Sequence, residues 1–195
     1  MNDSARSTGL YSLAELQAMM GEVGEDVKID RTVQLIGSKN IRIGSHVRID
    51  SYCILIGGKG ILIGSYVHLA WGCHLTATGA PITLEDFTGL SSGVKIFSAT
   101  DDYSDGHLTN PMVPDEFKNV RSASVILRKH SIIGANSVIM PGSLLEQGAA
   151  VGALSYINKI VPEFSIVGGN PPRLIGKRNK ERLLNLEKEF LYAQR

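Results

Sequence analysis

Two of the five histidines of this 195-residue sequence, together with two adjacent aspartates, are its candidates for proton transfer. His68 and His74 lie six positions apart, and Asp101 and Asp102 open a stretch without regular hydrophobic spacing. An imidazole or a carboxylate held beside a hydroxyl or an amine can take its proton during attack on an electrophile. The alternative for each histidine is an ordinary solvated or subunit-interface side chain. For the aspartates it is a solvated turn, which suits this residue type.

The charge and hydropathy of the sequence argue against a nucleic-acid partner and against a membrane span. The chain carries 20 lysine and arginine residues against 19 aspartate and glutamate residues, so its formal net charge is +1. We therefore predict no nucleic-acid partner. No apolar run reaches the roughly 18 residues that a membrane-spanning helix needs, and the N-terminus lacks a signal-peptide pattern. These features predict a cytoplasmic protein without a membrane span, in which Cys53 and Cys73 are buried, reduced thiols.

Aliphatic residues recur every six positions through most of the chain. This period fits neither a helix, with its 3.6-residue period, nor an alternating strand. Three such hexads can close one coil of a parallel β-helix, with the aliphatic residues stacked inside and polar residues at the corners. The anchors are Ile43, Ile49, Leu55, Ile63, Leu69, Leu75, Leu84, Leu90, Ile96, Leu127, Ile133, Ile139, Leu145, Val151 and Ile157, with a shifted last turn at Val161 and Val167. We predict an all-β solenoid of hexapeptide repeats.

Glycines mark the predicted corners of the coil. Gly44, Gly64, Gly134 and Gly152 each follow an anchor, where a residue without a β-carbon can turn tightly. Between the coils, residues 100–124 have no periodicity, and a loop of this length in a compact domain tends to be functional or disordered. We expect this excursion to contribute to the site.

Short helices are predicted at both ends. Ser12 is a suitable N-cap for an amphipathic helix over residues 11–20, with Leu13, Leu16 and Met19 on its apolar side. A second helix follows Lys177, and its apolar stripe consists of Leu183, Leu186, Phe190 and Leu191. We divide the chain into an N-terminal helical cap over residues 1–26, a β-helix over residues 27–176, and a C-terminal helix over residues 177–195.

The repeat, the excursion and the exit segment 167–175, which reads VGGNPPRLI, together resemble the hexapeptide-repeat acetyltransferases. The resemblance runs from about Ile29 to Ile175 and is nearest to the maltose, galactoside and O-antigen sugar acetyltransferases. Segments 90–92, 97–104 and 108–111 resemble the subset that acts on dTDP-linked amino-dideoxyhexoses. The resemblance implies a left-handed coil, a homotrimer, acetyl-CoA as co-substrate, a sugar or nucleotide-sugar acceptor, and active sites shared by adjacent subunits.

The family usually carries a catalytic histidine where the excursion starts, but this chain has Asp101 there. Three explanations remain open. Asp101 or Asp102 acts as the base, or orients His68 or His74 from another coil or chain. Alternatively, the acceptor is an amine, which is a nucleophile once neutral and needs less assistance. In the third explanation the site is inactive.

The resemblance also implies where CoA binds. Gly134, Ala135, Gly152 and Ala153 match the wall along which the pantetheine arm lies. Asn158, Lys159, Asn170, Pro171 and Arg173 fall near the nucleotide end, where the two basic side chains suit phosphate oxygens. Without a positioned cysteine nucleophile, we predict direct acetyl transfer from acetyl-CoA to a sugar amine or hydroxyl.

Two other functions are compatible with a hexapeptide-repeat coil. A zinc-dependent carbonic-anhydrase-like trimer needs three histidines around the metal, and only His68 and His74 are candidates. We therefore predict no metal site. A non-catalytic scaffold is the second alternative, because solenoid walls are good binding surfaces. The implied CoA wall argues against it.

Overall fold

The computed structural model describes residues 9–194 as a parallel β-helix of about seven turns, of the left-handed kind, with a short helix at each end. The strands are numbered β1 to β23 in chain order. The predicted solenoid with two terminal helices is confirmed. The residues 1–8 and 195 of the predicted end segments lie outside the described residues.

Three parallel sheets form the faces of the coil. The first consists of β1 (Glu22–Val23), β4 (Ile41–Ile43), β7 (Ile61–Ile63), β10 (Ile82–Leu84), β15 (Val125–Leu127), β18 (Leu144–Leu145) and β21 (Ile160–Val161). The second consists of β2 (Lys28–Ile29), β5 (Arg48–Ile49), β8 (His68–Leu69), β11 (Gly89–Leu90), β16 (Ile132–Ile133), β19 (Ala150–Val151), β22 (Ser165–Gly168) and the antiparallel β23 (Arg173–Lys177). The third consists of β3 (Gln34–Ile36), β6 (Ile54–Ile56), β9 (His74–Thr76), β12 (Lys95–Phe97), β17 (Val138–Ile139) and β20 (Tyr156–Ile157).

The hexad anchors fill the interior. Each strand pairs in parallel with the strand one coil later, so that Ile43 lies beside Ile63 and Leu55 beside Leu75. These side chains are at most 2% exposed. Burying one such aliphatic side chain contributes about 1.5–3 kcal/mol, so the stack of anchors is the main source of stability.

The two cysteines lie in neighbouring coils, as predicted. Both are buried and unpaired, and the Cys53 thiol donates to the carbonyl of Ala70 at 3.2 Å. The Cys73 thiol donates to the carbonyl of Ser91 at 3.3 Å. The neighbouring Cys53 thiol and burial raise the pKa of Cys73, so it remains a protonated core side chain.

The corner glycines are required for a reason other than the predicted one. Gly44 and Gly64 do not have positive φ; the left-handed residues are His46 and Tyr66, two positions further on, at φ 58°. A Cβ on Gly44 would lie 2.8 Å from the backbone carbonyl carbon of Gly64 in the next coil. Close approach of the coils, rather than a tight turn, therefore selects glycine here.

The N-terminal helix α1 covers Leu13–Met19. Ser12 caps it and forms a reciprocal capping box with Glu15, as its sequence position suggests. Leu16 and Met20 are buried against the first coil, whereas Leu13 is 42% exposed, so its predicted place on the apolar side is wrong. The first sheet already begins at Glu22, inside the segment that we assigned to the cap.

The C-terminal helix α2 covers Lys180–Ala193 and starts later than Lys177, because residues 173–177 form β23. It packs against the coil wall. Four corner rings, those of His46, Tyr66, Phe87 and His130, stack with centroids 4.7–5.0 Å apart, and Phe190 of α2 meets Tyr66 edge-on. Glu187 of α2 bonds Lys129 at 2.7 Å and His130 at 2.9 Å. Among residues 9–194, no helix is long and apolar enough to cross a bilayer.

Candidate active site

The corner that follows the second sheet carries a line of small and polar residues. In successive coils the first residue after the buried strand end is Asp50, Ala70, Ser91, Gly134 and Gly152. The backbone N–H of each donates to a buried carbonyl one coil later, with N···O distances of 2.7–2.9 Å. The five positions therefore lie one above another along the coil axis. We call Ala70, Ser91, Gly134 and Gly152 the small-residue column.

His68 and Asp50 form a hydrogen-bonded pair beside this column. Asp50 Oδ2 lies 2.8 Å from His68 Nε2, and Asp50 Oδ1 accepts from Arg48 Nε at 2.6 Å. Burial alone would raise the pKa of Asp50, but the hydrogen bonds from Arg48 and His68 bring it below its usual value. An ionised carboxylate only accepts hydrogen bonds, so the proton of a neutral His68 ring is on Nε2. Its Nδ1 then keeps the lone pair of a base.

A shallow cavity of about 220 Å³ opens next to His68. Its lining consists of His68, Ala70, Gly89, Leu90, Ser91, Ser92 and Ile132. Within residues 9–194 the hydroxyls of Ser91 and Ser92 have no hydrogen-bond partner. The cavity therefore combines two unused hydroxyls and an imidazole with an apolar wall.

His74 lies on another face of the coil. It belongs to β9 of the third sheet, whereas His68 belongs to β8 of the second. His74 is half-buried, with Nε2 2.9 Å from Thr76 Oγ1 and its ring edge-on to Phe97. Burial, and then the charge of Lys95, lower the pKa of His74. The ring is therefore neutral near pH 7.

The excursion begins and ends with the antiparallel pair β13 (Ala99–Asp101) and β14 (Val120–Ser122). Asp101 is partly exposed, and its carboxylate accepts a single hydrogen bond from the described residues, from the N–H of Asn110 at 3.2 Å. Most of its accepting capacity is free. Asp101 is thus the predicted acid that remains available to a ligand.

Asp102 has a different environment, because its side chain is only 4% exposed. It accepts from Arg121 at 2.7 and 3.0 Å, from Asn119 at 3.1 Å, and from the N–H and hydroxyl of Ser104. The Ser104 bonds, together with the Arg121 guanidinium, lower the pKa of Asp102 to about 2. A carboxylate with so low a pKa is a weak base, and its bonds to Ser104, Asn119 and Arg121 link the two ends of the excursion.

The fold and sequence were compared with known proteins. No family model matches the chain. The crystal structure of AntD, an N-acyltransferase from Bacillus cereus, in complex with dTDP and 3-hydroxybutyryl-CoA, is 38% identical and has a TM-score of 0.90. The similarity covers 95% of this chain and 97% of that chain. The chain belongs to the hexapeptide-repeat sugar acetyltransferase family. A maltose O-acetyltransferase from Clostridium difficile, 20% identical with a TM-score of 0.57 over 86% of this chain and 74% of that chain, shares the fold.

Curated members of the family match over shorter stretches. The dTDP-4-amino-4,6-dideoxy-D-glucose acyltransferase of Escherichia coli is 40% identical over 109 residues, which are 56% of this chain and 56% of that protein. The dTDP-3-amino-3,6-dideoxy-alpha-D-galactopyranose 3-N-acetyltransferase of Aneurinibacillus thermoaerophilus is 41% identical over 51 residues, 26% of this chain and 27% of that protein. The match spans about half the length of the first of these relatives.

The structure brings together most of the residues that were predicted to bind CoA. Gly134 and Gly152 are neighbours in the small-residue column, and Leu154 N–H donates to the carbonyl of Ala135 at 2.9 Å. Ala153 follows Gly152 at the exposed corner.

The predicted nucleotide-end residues separate into two groups. Arg173 pairs in register with Gly168, whose strand follows that of Gly152 in the second sheet, and the exposed turn at Asn170–Pro171 connects them. Asn158 and Lys159 are also exposed but follow the third sheet, at the next corner of the coil. The structure therefore does not bring these two residues to the column.

Three residues of the site escaped the sequence reasoning. Asp50 and Gly89 were passed over, and Ser91 entered only through the resemblance. The hexad register contained a signal for Asp50, because Arg48 and His68 occupy equivalent positions one coil apart, with Asp50 two residues after Arg48. Gly89 pairs with Ile132 across the excursion, 43 positions away, where counting in hexads no longer applies.

We expect Asp102→Asn to loosen the excursion. The amide that replaces the carboxylate would present N–H donors to the donors of Arg121 and Asn119, and a buried mismatch of this kind costs more than the lost bonds. In hydrogen–deuterium exchange, residues 103–119 should exchange faster, whereas the exposed Asp105 changed to Asn should have no effect. With a folded pKa of about 2 against about 3.9 unfolded, the contribution of Asp102 to stability is complete above about pH 5 and is lost progressively as the pH falls toward about 1. Unchanged exchange in the Asp102 variant would contradict this role.

Proposed function

We propose that the protein transfers an acyl group from CoA directly to the amine of a dTDP-linked amino-dideoxy sugar. The observation that carries the proposal is the likeness over nearly the whole chain to AntD, which has been crystallised with dTDP-4-amino-4,6-dideoxyglucose and CoA. This likeness favours acyl transfer over the zinc-hydratase and scaffold alternatives. An amine acceptor also explains why the family's usual histidine can be absent, because a neutral amine is itself a nucleophile.

Acyl-CoA binds along the small-residue column. Small side chains and the flat backbone at Gly134 and Gly152 allow the thin pantetheine arm to lie against the wall. Arg173, opposite Gly168 near the end of the column, supplies a cation for the phosphates at the nucleotide end. Successive coils are about 4.8 Å apart, so an arm that runs from Gly152 past Gly134 reaches Ser91 after about 10 Å. The reactive end of CoA then lies beside His68.

Asp101 binds the amine of the acceptor. Crystallised variants of AntD replace a serine and an aspartate that lie ten positions apart. Ser91 and Asp101 have the same separation here, and so do Ser92 and Asp102. Of the two aspartates only Asp101 has free accepting capacity. A carboxylate at this place attracts the sugar ammonium through charge-assisted hydrogen bonds and orients it after it loses a proton.

The reaction is a single displacement at the thioester. The neutral amine attacks the carbonyl carbon, the carbon–sulfur bond breaks, and CoA leaves as the thiolate. Nδ1 of His68 accepts the proton that the amine loses, and this proton then passes to the CoA sulfur. Asp50 stabilises the transient imidazolium. The products are an amide and free CoA thiol, with no acyl-enzyme.

Two copies of the chain complete the site. Within residues 9–194 no hydrogen bond joins Asp101 to His68 or to the cavity at Ser91. We place the excursion of one subunit against the cavity of its neighbour in a homotrimer. We place the protein in the cytoplasm, since both substrates carry phosphates that do not cross a bilayer. The product serves surface-polysaccharide assembly, in keeping with the 29% identity over 77 residues to a putative lipopolysaccharide biosynthesis O-acetyl transferase, WbbJ.

An acceptor comparison tests the function. With acetyl-CoA, dTDP-4-amino-4,6-dideoxyglucose should release free thiol at least 100-fold faster than dTDP-glucose, because only the former offers an amine to Asp101; a factor of about 100 is ordinary for loss of one positioned reacting group. Mass spectrometry should locate the acetyl group on nitrogen. Equal rates with both acceptors would contradict amine selectivity. Acetylated enzyme after mixing with acetyl-CoA alone would contradict direct transfer.

A further inference from the structure

Gly89 is a glycine that neither its backbone nor its packing requires. Its φ lies outside the positive range, and the atom nearest to a Cβ built there is Ile132 Cγ1, at an ordinary 3.8 Å. By contrast, a Cβ on Gly64 would come within 2.8 Å of backbone in the next coil. The missing side chain of Gly89 therefore calls for an explanation other than folding.

The missing side chain creates the cavity. On the outer face of the second sheet, Arg48, His68, Gly89 and Ile132 follow one another in register. Gly89 interrupts this row of large side chains, so that His68 forms one wall of the gap and Ile132 the other. At roughly 30 Å³ for each water-sized group, 220 Å³ exceeds the volume that the three non-hydrogen atoms of an acetyl group need.

The cavity also lies where the small-residue column ends. Ser91 N–H donates to Ile133 at 2.9 Å, and Gly134 directly follows Ile133, so cavity and column share this corner. Under the proposed function, an acyl group at the end of the pantetheine arm arrives at Gly89. It would meet the exposed side chain of Ile132 and the free hydroxyls of Ser91 and Ser92.

We infer that Gly89 sets the length of the acyl group and that the cavity takes an acyl chain longer than acetyl, of the short hydroxyacyl type. The apolar wall suits the carbon chain, and the two serine hydroxyls suit a polar substituent on it. This inference rests on the proposed function, because it assumes that CoA lies along the column.

The test compares acyl-CoA thioesters with Gly89→Ala and Gly89→Val. For the wild type, kcat/KM with 3-hydroxybutyryl-CoA should equal or exceed that with acetyl-CoA. In Gly89→Val the ratio of the two values should fall at least tenfold, since mismatched groups of one or two carbons in a pocket change it by about 10–200-fold. Gly89→Ala should give an intermediate ratio. Gly176→Ala is the matched control, because this strand glycine also has room for a Cβ, 3.5 Å from the Ile166 side chain, outside the cavity.

Binding of the same thioesters, measured by calorimetry, separates this inference from the function. If the wild type binds both thioesters but transfers neither acyl group, the proposed function fails. The inference then holds if Gly89→Val weakens binding of 3-hydroxybutyryl-CoA alone, and it is overturned otherwise. If Gly89→Val leaves the ratio of the two thioesters unchanged in both assays, or weakens both equally, the inference is overturned while transfer stands. A wild type that binds neither thioester would overturn both.

Discussion

Asp101→Asn is expected to lower kcat/KM for the aminosugar by about 100-fold or more, a loss typical of removing a group that acts on the reacting atoms. The variant keeps the size and the hydrogen bond from Asn110 but loses the charge that attracts the sugar ammonium. Because the Asp101 carboxylate holds little of the excursion in place, the fold should be unaffected. The measurement is initial rates of thiol release at varied acceptor concentration, with the thermal midpoint of unfolding recorded for each variant.

Matched variants separate an Asp101 effect from general damage to the excursion. Asp105→Asn removes the same charge four positions away on an exposed side chain and should keep full activity. His68→Asn should lower kcat with little change in the acceptor KM, since it removes the base but not the charge that binds the amine. His74→Asn should have a small effect, as His74 lies on another sheet. If Asp101→Asn keeps more than a third of the wild-type kcat/KM, the acceptor does not bind at Asp101.

Gly64→Ala is expected to destabilise the protein by about 3 kcal/mol, at the upper end for overpacking, because a backbone contact and a hydrogen bond are affected together. The added Cβ would lie 2.5 Å from Asp86 Oδ1 and 2.8 Å from Asp86 N. Gly64 N–H also donates to the carbonyl of Leu84 at 2.8 Å, so the two coils cannot separate without breaking the ladder.

Gly89→Ala provides the control for this stability measurement, because its Cβ meets nothing closer than 3.8 Å. It should unfold within about 1 kcal/mol of the wild type, the usual range for a substitution without a clash. Urea denaturation at one fixed protein concentration, which matters for an oligomer, gives both values. Equal destabilisation of the two variants would show that coil spacing does not select the corner glycines.

The hexad spacing was sufficient to predict the solenoid because its anchors repeat the same local requirement in every coil. Ile49 and Leu69 are each buried for the same reason, and a strand that packs its apolar residue inward must pair with the equivalent strand one coil later. The capping box at Ser12 could equally be predicted from the sequence, since its two residues, Ser12 and Glu15, are three positions apart. Such features depend on short stretches of sequence.

Predictions that depended on a residue's neighbours in other coils were less successful. The corner glycines were identified, but for Gly44, Gly64 and Gly134 the reason is close contact with the next coil, whereas a Cβ on Gly152 would have room. Leu13 fits the helical spacing, yet its side chain is 42% exposed, whereas Leu16 on the next turn is buried. His68 and His74 share a spacing but face different sides, because the coil turns between them.

By itself the sequence determined the coil, its terminal helices and a set of acids and imidazoles suited to proton transfer. Only the tertiary structure decided which partners surround each of them. Stacking of coils places Asp50 on His68, eighteen positions away, and the excursion brings Gly89 beside Ile132. The same fold holds Asp102 in an ion pair with Arg121, whereas most of the hydrogen-bonding capacity of the Asp101 carboxylate stays unused. Asp101 ends β13 and Asp102 directly follows it, with the Asp101 carboxylate available to a ligand and the Asp102 carboxylate buried.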